Sequence, residues 1–347
     1  MKVLMIGAGR TVRGGVSSVV NSYYDAGLDR LCDLTYLPTM EDGSKLKKLY
    51  VAVRARLRFE RLIRENEILH VHMSADNSFY RKEVFIRRAS KEKKKIIIHM
   101  HGSTFDLFYK ERCNERQKRE VREIFALADT VIALSQDWKA FLSEFICEER
   151  KIRVIYNAVK LPPPYEKDYG SRKLLFLGIL GQRKGTYDLI SALPEILQKY
   201  PDVHVCFGGD GEREQAERLC REAGIADHVT FAGWVRDKEK DALLQEYSVY
   251  VLPTYHEGMP MSVLEAMSYG LAVISTYVGG IPHIISDGEN GLLCEAGDVA
   301  GLKKALEKML ASETLRRRLG TCGMEKIRQD FNIDNNIDKI LDIYRAQ

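Results

Sequence analysis

Short apolar, β-branched runs recur along the chain, each followed by a longer stretch whose apolar residues fall three or four positions apart. In the first half, residues 2–6, 34–37, 68–72, 95–99, 130–134 and 153–155 read as strands. Between them, residues 16–24, 45–64, 79–89, 111–127 and 138–145 read as helices. Strand and amphipathic helix in alternation is the rhythm of a doubly wound parallel sheet. Residues 157–171, with Pro162-Pro163-Pro164 at their centre, break that rhythm and read as a stiff connection. It then restarts, with strands predicted at 174–177, 203–207, 229–231, 249–252 and 272–275, and residues 302–344 read as mostly helical. The pattern predicts an α/β chain of two Rossmann-like doubly wound domains facing a cleft: residues 1–160 and 172–330, a linker at 161–171 and a terminal segment 331–347. A length of 347 residues agrees, because single cores stop growing at about 250–300 residues.

The segment 253–265, Pro-Thr-Tyr-His-Glu-Gly-Met-Pro-Met-Ser-Val-Leu-Glu, concentrates the candidate chemistry. Glu257 falls in a loop at the carboxyl end of a strand, and the Gly258-Met259-Pro260 turn leads into a helix predicted to start near Met261 and stop at Gly270. Glu265 then lies about one turn inside that helix. The helix start offers the N–H groups of Met261, Ser262 and Val263 and a positive dipole end, which suit a phosphate. The carboxylates on either side can accept hydroxyl hydrogen bonds from sugar and ribose rings.

Other strand ends add to this. After the first strand, a dinucleotide fingerprint fails because its third glycine would fall at Val12. Gly14 and Gly15 remain, opening a helix where backbone N–H groups can approach a phosphate or sugar. Arg183 and Lys184, after Gly178 and Gly181 and before Gly185, form a cation pair at a helix start suited to a diphosphate leaving group. Gly208–Gly211 reads as a geometric turn, and Gly233-Trp234-Val235 occupies the next strand end. No D-x-D pair, H-E-x-x-H motif or histidine ligand cluster is visible among the eight histidines, so no metal is expected.

The two-glutamate segment, followed by Gly279-Gly280 and Asn290-Gly291-Leu292-Leu293, resembles the donor site of retaining GT-B glycosyltransferases, most closely family 4 (group 1). The resemblance covers nearly the whole chain. It implies a GT-B fold, a nucleoside diphosphate sugar held mainly by the second domain, no cofactor, and a terminal helix crossing back to the first, acceptor-side domain. By the same resemblance Glu257 holds sugar hydroxyls, Glu265 the ribose and Lys184 the diphosphate, while backbone near Trp234 and Val235 receives the base. His101 lines the reaction centre, and His99, inside a strand, is structural. The family places an arginine where this chain has Ile179, so Arg183 is proposed as its substitute. The implied reaction transfers a hexose or N-acetylhexosamine, with retention of configuration, to a hydroxyl of a sugar or lipid-linked acceptor in cell-surface polysaccharide or glycolipid synthesis. A nucleotide-sugar epimerase, an NAD-dependent enzyme or a non-catalytic nucleotide-sugar binder of this fold are the alternatives; Val12 argues against NAD, and Ile179 is the departure that favours a binder.

Composition sharpens the setting. Seven scattered cysteines, odd in number and without C-x-x-C, suggest reduced thiols. With no signal-peptide layout and no apolar run of about 18 residues, the expected location is cytoplasmic, at or near the inner face of the membrane. Residues 1–160 hold 31 Lys and Arg against 21 Asp and Glu, net +10, whereas residues 161–347 hold 22 against 28, net −6. Residues 45–64 interleave eight cations with apolar positions at helical spacing. That helix either lies on anionic lipid or is a solvated helix turning its apolar stripe inward. No nucleic-acid partner is expected.

Overall fold

The computed structural model describes residues 1–346, and the chain divides into two compact units: residues 1–160 together with the chain from Ile333 onward, and residues 161–332. Each unit is built on one six-stranded, fully parallel sheet. Sheets of this kind are covered by helices on both faces, and for that reason their strands read as continuous apolar runs.

In the first unit, β1 (Lys2–Ala8), β2 (Asp33–Met40), β3 (Ile68–Met73), β4 (Lys95–Met100), β5 (Thr130–Ala133) and β6 (Ile152–Val154) stand in the order β2-β1-β3-β4-β5-β6. The second unit sets β7 (Lys173–Leu177), β8 (His204–Gly208), β9 (Val229–Gly233), β10 (Val249–Val251), β11 (Ala272–Thr276) and β12 (Leu292–Cys294) in the order β12-β11-β10-β7-β8-β9. The winding reverses between β1 and β3 in one sheet and between β7 and β10 in the other. Ligands of open α/β sheets bind outside the carboxyl ends of the strands at such reversals. Two loop pairs are therefore singled out by topology alone: those after β1 and β3, and those after β7 and β10.

Three sequence expectations change. The helix expected over 111–127 starts at Glu115, because a capping box joins Asn114 and Gln117, while residues Phe108–Arg112 form a separate wide turn. Strand β12 was not anticipated; it has only three residues and follows a tight turn at Gly291. The segment 161–171 has no regular structure until β7, but it is no free linker. Lys167 is buried and its Nζ donates to the carbonyls of Leu244 and Gln245 (2.5 and 3.1 Å), and Tyr169 donates to Gly270 O (3.0 Å). Buried Arg316 reaches back to Tyr169 O at 2.8 Å, so the segment is strapped to the second unit. The helix Ile333–Arg345 belongs to the first unit, where Ile333 N donates to Val159 O and the Tyr344 hydroxyl lies 2.7 Å from His70 Nδ1.

Candidate active site

In the second unit the loops after β7 and β10 meet at the topological reversal. Gly185, at φ +71, lets the first loop touch the second, since a Cβ there would sit 1.9 Å from Pro253 O. Tyr255 N and Thr254 Oγ1 both donate to Arg183 O, at 2.9 and 3.0 Å. This contact brings the sequence candidates together. Lys184 Nζ and Glu257 Oε1 form a direct ion pair with side chains only 13% and 8% exposed. Arg183 is exposed and sends one N–H to His256 O at 3.3 Å, leaving most of its fork for another acceptor. On the far side, Gly279 and Gly280 back the loop, Gly280 N donating to Gly258 O at 2.8 Å; a Cβ on Gly279 (φ +52) would sit 1.7 Å from Glu257 O. Glu257 is thus held by its side chain from one loop and by its backbone from another.

The helix Met261–Ser268 begins after Pro260 with no side-chain cap. Of the three N–H groups expected to be open, that of Val263 is taken, donating to Pro260 O at 3.2 Å as the first turn tightens. Among the described residues, the N–H groups of Met261 and Ser262 meet no acceptor. Glu265 is paired with Lys240 at 2.8 Å, with side chains 18% and 26% exposed. Burial opposes the charge on Lys240, but the Glu265 carboxylate outweighs it and raises the lysine's pKa. Lys240 escaped sequence reasoning because its partner lies 25 residues away on another helix.

The glycines at neighbouring strand ends serve close approach. Gly209 (φ +155) touches Gly178, where a Cβ would lie 1.8 Å from Gly178 O, so the Gly208–Gly211 turn braces the loop after β7. Trp234 is half-buried and Val235 buried, the latter against Gly208. Met259 is buried beside Gly258. Ile179, where the family's arginine would stand, is 46% exposed.

In the first unit a cavity of about 140 Å³ opens at the β1/β3 reversal, lined by Gly14, Gly15, Ser74, Ser78, Arg81 and Lys82 among others, with no carboxylate in its wall. Gly14 (φ +146) and Gly15 face open space, with nothing within 4 Å of a Cβ at either. Lys82 is 3% exposed and bonds Ser78 Oγ at 2.7 Å; burial, with Arg81 adding to it, lowers its pKa to about 7. Arg81 Nε is buried without a hydrogen-bond partner among the described residues. A buried lysine beside an arginine, facing a helix start, suits an anionic group.

His101 follows β4, and its Nε2 lies 2.8 Å from His72 Nδ1. Burial, aided by His70 and Lys82, lowers its pKa to about 3, so the ring is neutral at pH 7. The expectation that the histidines form no cluster is corrected here. His70, His72 and His99 bring ring nitrogens within 4.8 Å of one another, because H-x-H alternation in β3 and β4 puts them on one face of the sheet. Their rings lie at interplanar angles of 13–30°, with His70 Nε2 3.3 Å from His99 Nδ1 and the Nε2 atoms of His72 and His99 buried without a hydrogen-bond partner among the described residues.

Two family models match end to end: glycosyltransferase family 4 over residues 20–161 and glycosyl transferases group 1 over residues 160–326. The chain belongs to the group 1, family 4 glycosyltransferases. Within that family it is similar to the lipopolysaccharide core biosynthesis glycosyltransferase LpsE of Rhizobium meliloti (strain 1021), 31% identical over 211 residues, 57% of this chain and 59% of that protein. In structure it is similar to a sucrose-phosphate synthase of Thermosynechococcus elongatus (TM-score 0.81, 20% identity, 99% and 98% of the two chains). It is also similar to Anabaena HepE in complex with UDP and glucose (TM-score 0.79, 16% identity, 100% of both chains). At such identities the structures speak for the fold alone, and that fold is GT-B.

Proposed function

We propose that this chain is a retaining glycosyltransferase that moves a hexose or N-acetylhexosamine from a nucleoside diphosphate sugar to a hydroxyl acceptor. The observation that carries the reading is the Lys184–Glu257 pair at the β7/β10 reversal, next to the open N–H groups of Met261 and Ser262. A phosphate arriving there meets two cations and a helix N-terminus, and negative charge developing on a leaving diphosphate is stabilised without a metal. Glu257, already anchored by Lys184, presents its remaining oxygen to sugar hydroxyls, and Glu265, anchored by Lys240, does the same for the ribose. Backbone at Trp234 and Val235 receives the base. The complex of HepE with UDP and glucose supports a nucleotide-sugar donor.

To the first unit we assign the acceptor side. Neutral His101 can hydrogen-bond a sugar hydroxyl without adding a charge, and the cavity at Gly14, Gly15, Arg81 and Lys82 suits an anionic group on a substrate. The likeness to LpsE supports a place in cell-surface glycolipid or polysaccharide synthesis. The anomeric configuration of the product, followed by NMR with a chelator present, tests this reading. Retention with undiminished turnover is expected; inversion, or loss of turnover on chelation, would refute it.

A further inference from the structure

The helix Lys45–Glu65 carries two apolar stripes, and only one of them is packed. Val51, Ala55, Phe59 and Ile63 are buried in the first unit. Leu46, Leu49, Tyr50, Val53 and Leu57 are 52–80% exposed. At about 100° per residue these five fall within roughly a third of the circumference, opposite the buried stripe. The sequence reading that turns the stripe of Leu46, Leu49, Tyr50, Val53, Leu57 and Leu62 inward is corrected: the first five are exposed, and a different set packs against the first unit. Single exposed hydrophobics are ordinary, but a contiguous row of five large ones marks a surface that something covers.

The flanks say what covers it. By the same helical geometry, Lys47, Arg54, Arg58 and Arg61 border the exposed stripe on one side and Lys45 and Arg56 on the other. Both carboxylates of the helix are already engaged, Glu60 with Arg88 and Glu65 with Arg61, each at 2.8 Å. Among the described residues, Arg54, Arg56 and Arg58 pair with no carboxylate. A second copy laid on this face would set cations against cations, with no acidic row to meet them. No helix among the described residues is long and apolar enough to cross a membrane. An apolar strip between two cationic rails instead matches a bilayer surface, with acyl chains beneath and anionic headgroups on either side.

We propose that the exposed face of this helix docks the protein on an anionic lipid bilayer, with the helix lying in the plane of the surface. The stripe inserts at the acyl boundary, the arginines engage lipid phosphates, and the buried stripe holds the helix to the first unit. The inference extends the proposed function but does not require turnover.

The test is co-sedimentation of the full chain with vesicles of phosphatidylcholine alone and of phosphatidylcholine mixed with phosphatidylglycerol. Two variants accompany it, Leu49→Ser with Leu57→Ser, and Arg54→Glu with Arg56→Glu and Arg58→Glu; unfolding temperatures confirm that both fold. Binding to the mixed vesicles is expected, weaker by about tenfold or more on phosphatidylcholine and in each variant, with diphosphate release free of vesicles unchanged. Absence of binding to mixed vesicles, equal binding by wild type and variants, or a dimer that the leucine variant dissociates would each overturn the proposal. Vesicle binding without any diphosphate release would leave the docking surface standing and remove the transferase reading.

Discussion

Replacing Lys184 with alanine is expected to lower kcat/KM for donor turnover by about 10²–10³-fold, the loss usual for a donor aimed at developing charge. Under the proposed function the lysine has two jobs. Its ammonium fixes Glu257, and it still has donors to spare for a phosphate, since an ammonium carries three and Glu257 Oε1 takes one. Removal also strands a carboxylate that is only 8% exposed, and breaking such a buried pair costs about 3–5 kcal/mol of stability. Chemistry and folding are separated by the double variant Lys184→Met, Glu257→Gln, which has no stranded charge. Its unfolding free energy should recover while turnover stays low. Turnover of Lys184→Ala within a few-fold of wild type would remove the lysine from the site.

The second large effect is acid sensitivity of the first unit. Burial lowers the pKa of His70 to about 3 and holds His72 and His99 well below the ordinary imidazole value. They face each other, His101, Lys82, the ring of Tyr23 and the hydroxyl of Tyr344, with no carboxylate among the described residues acting on them. Above about pH 6.5 neither the folded nor the unfolded chain protonates these rings, and their contribution is fully present. As pH falls below that value the unfolded chain binds protons that the folded unit refuses, so stability is lost progressively toward pH 3. At pH 5 the His70 ring forfeits about 2 kcal/mol, and His72 and His99, lowered in the same direction by burial, add to the loss. Trp138 reports on this unit in a Trp234→Phe background, since the chain has only these two tryptophans. Urea unfolding at pH 7.5 and pH 5 should show a markedly lower midpoint in acid; an unchanged midpoint would mean the rings are accessible to protons in the folded state.

Much of this architecture is written locally. Buried parallel strands such as β1, β4 and β7 are unbroken apolar runs, and Pro260 and Gly270 frame the helix that carries Glu265, so residue type alone locates them. The capping box at Asn114 and Gln117 was also legible, but the apolar periodicity runs through it and hides the break. What depends on which strands pair was not legible. The H-x-H alternations at His70/His72 and His99/His101 become one cluster only because β3 lies beside β4, in a register that sets His72 against His99. Lys240 finds Glu265, and Lys82 finds the cavity under Gly14, by tertiary folding alone. For the helix Lys45–Glu65 the larger apolar residues drew the eye to the stripe that stays exposed, and only packing against the first unit shows that Val51, Ala55, Phe59 and Ile63 are the buried face.

The most direct measurement is diphosphate release from UDP-, GDP- and ADP-sugars by the purified chain in the presence of a chelator, with NAD as a control and thermal shift in parallel. A ligand at 100 times its dissociation constant adds about 2.7 kcal/mol of stability, which makes the binding arm decisive. The account predicts release from one donor class, matched by stabilisation with the same nucleoside diphosphate and lowered about 10²–10³-fold in Lys184→Ala. Stabilisation by NAD alone, with no donor turned over, would contradict it.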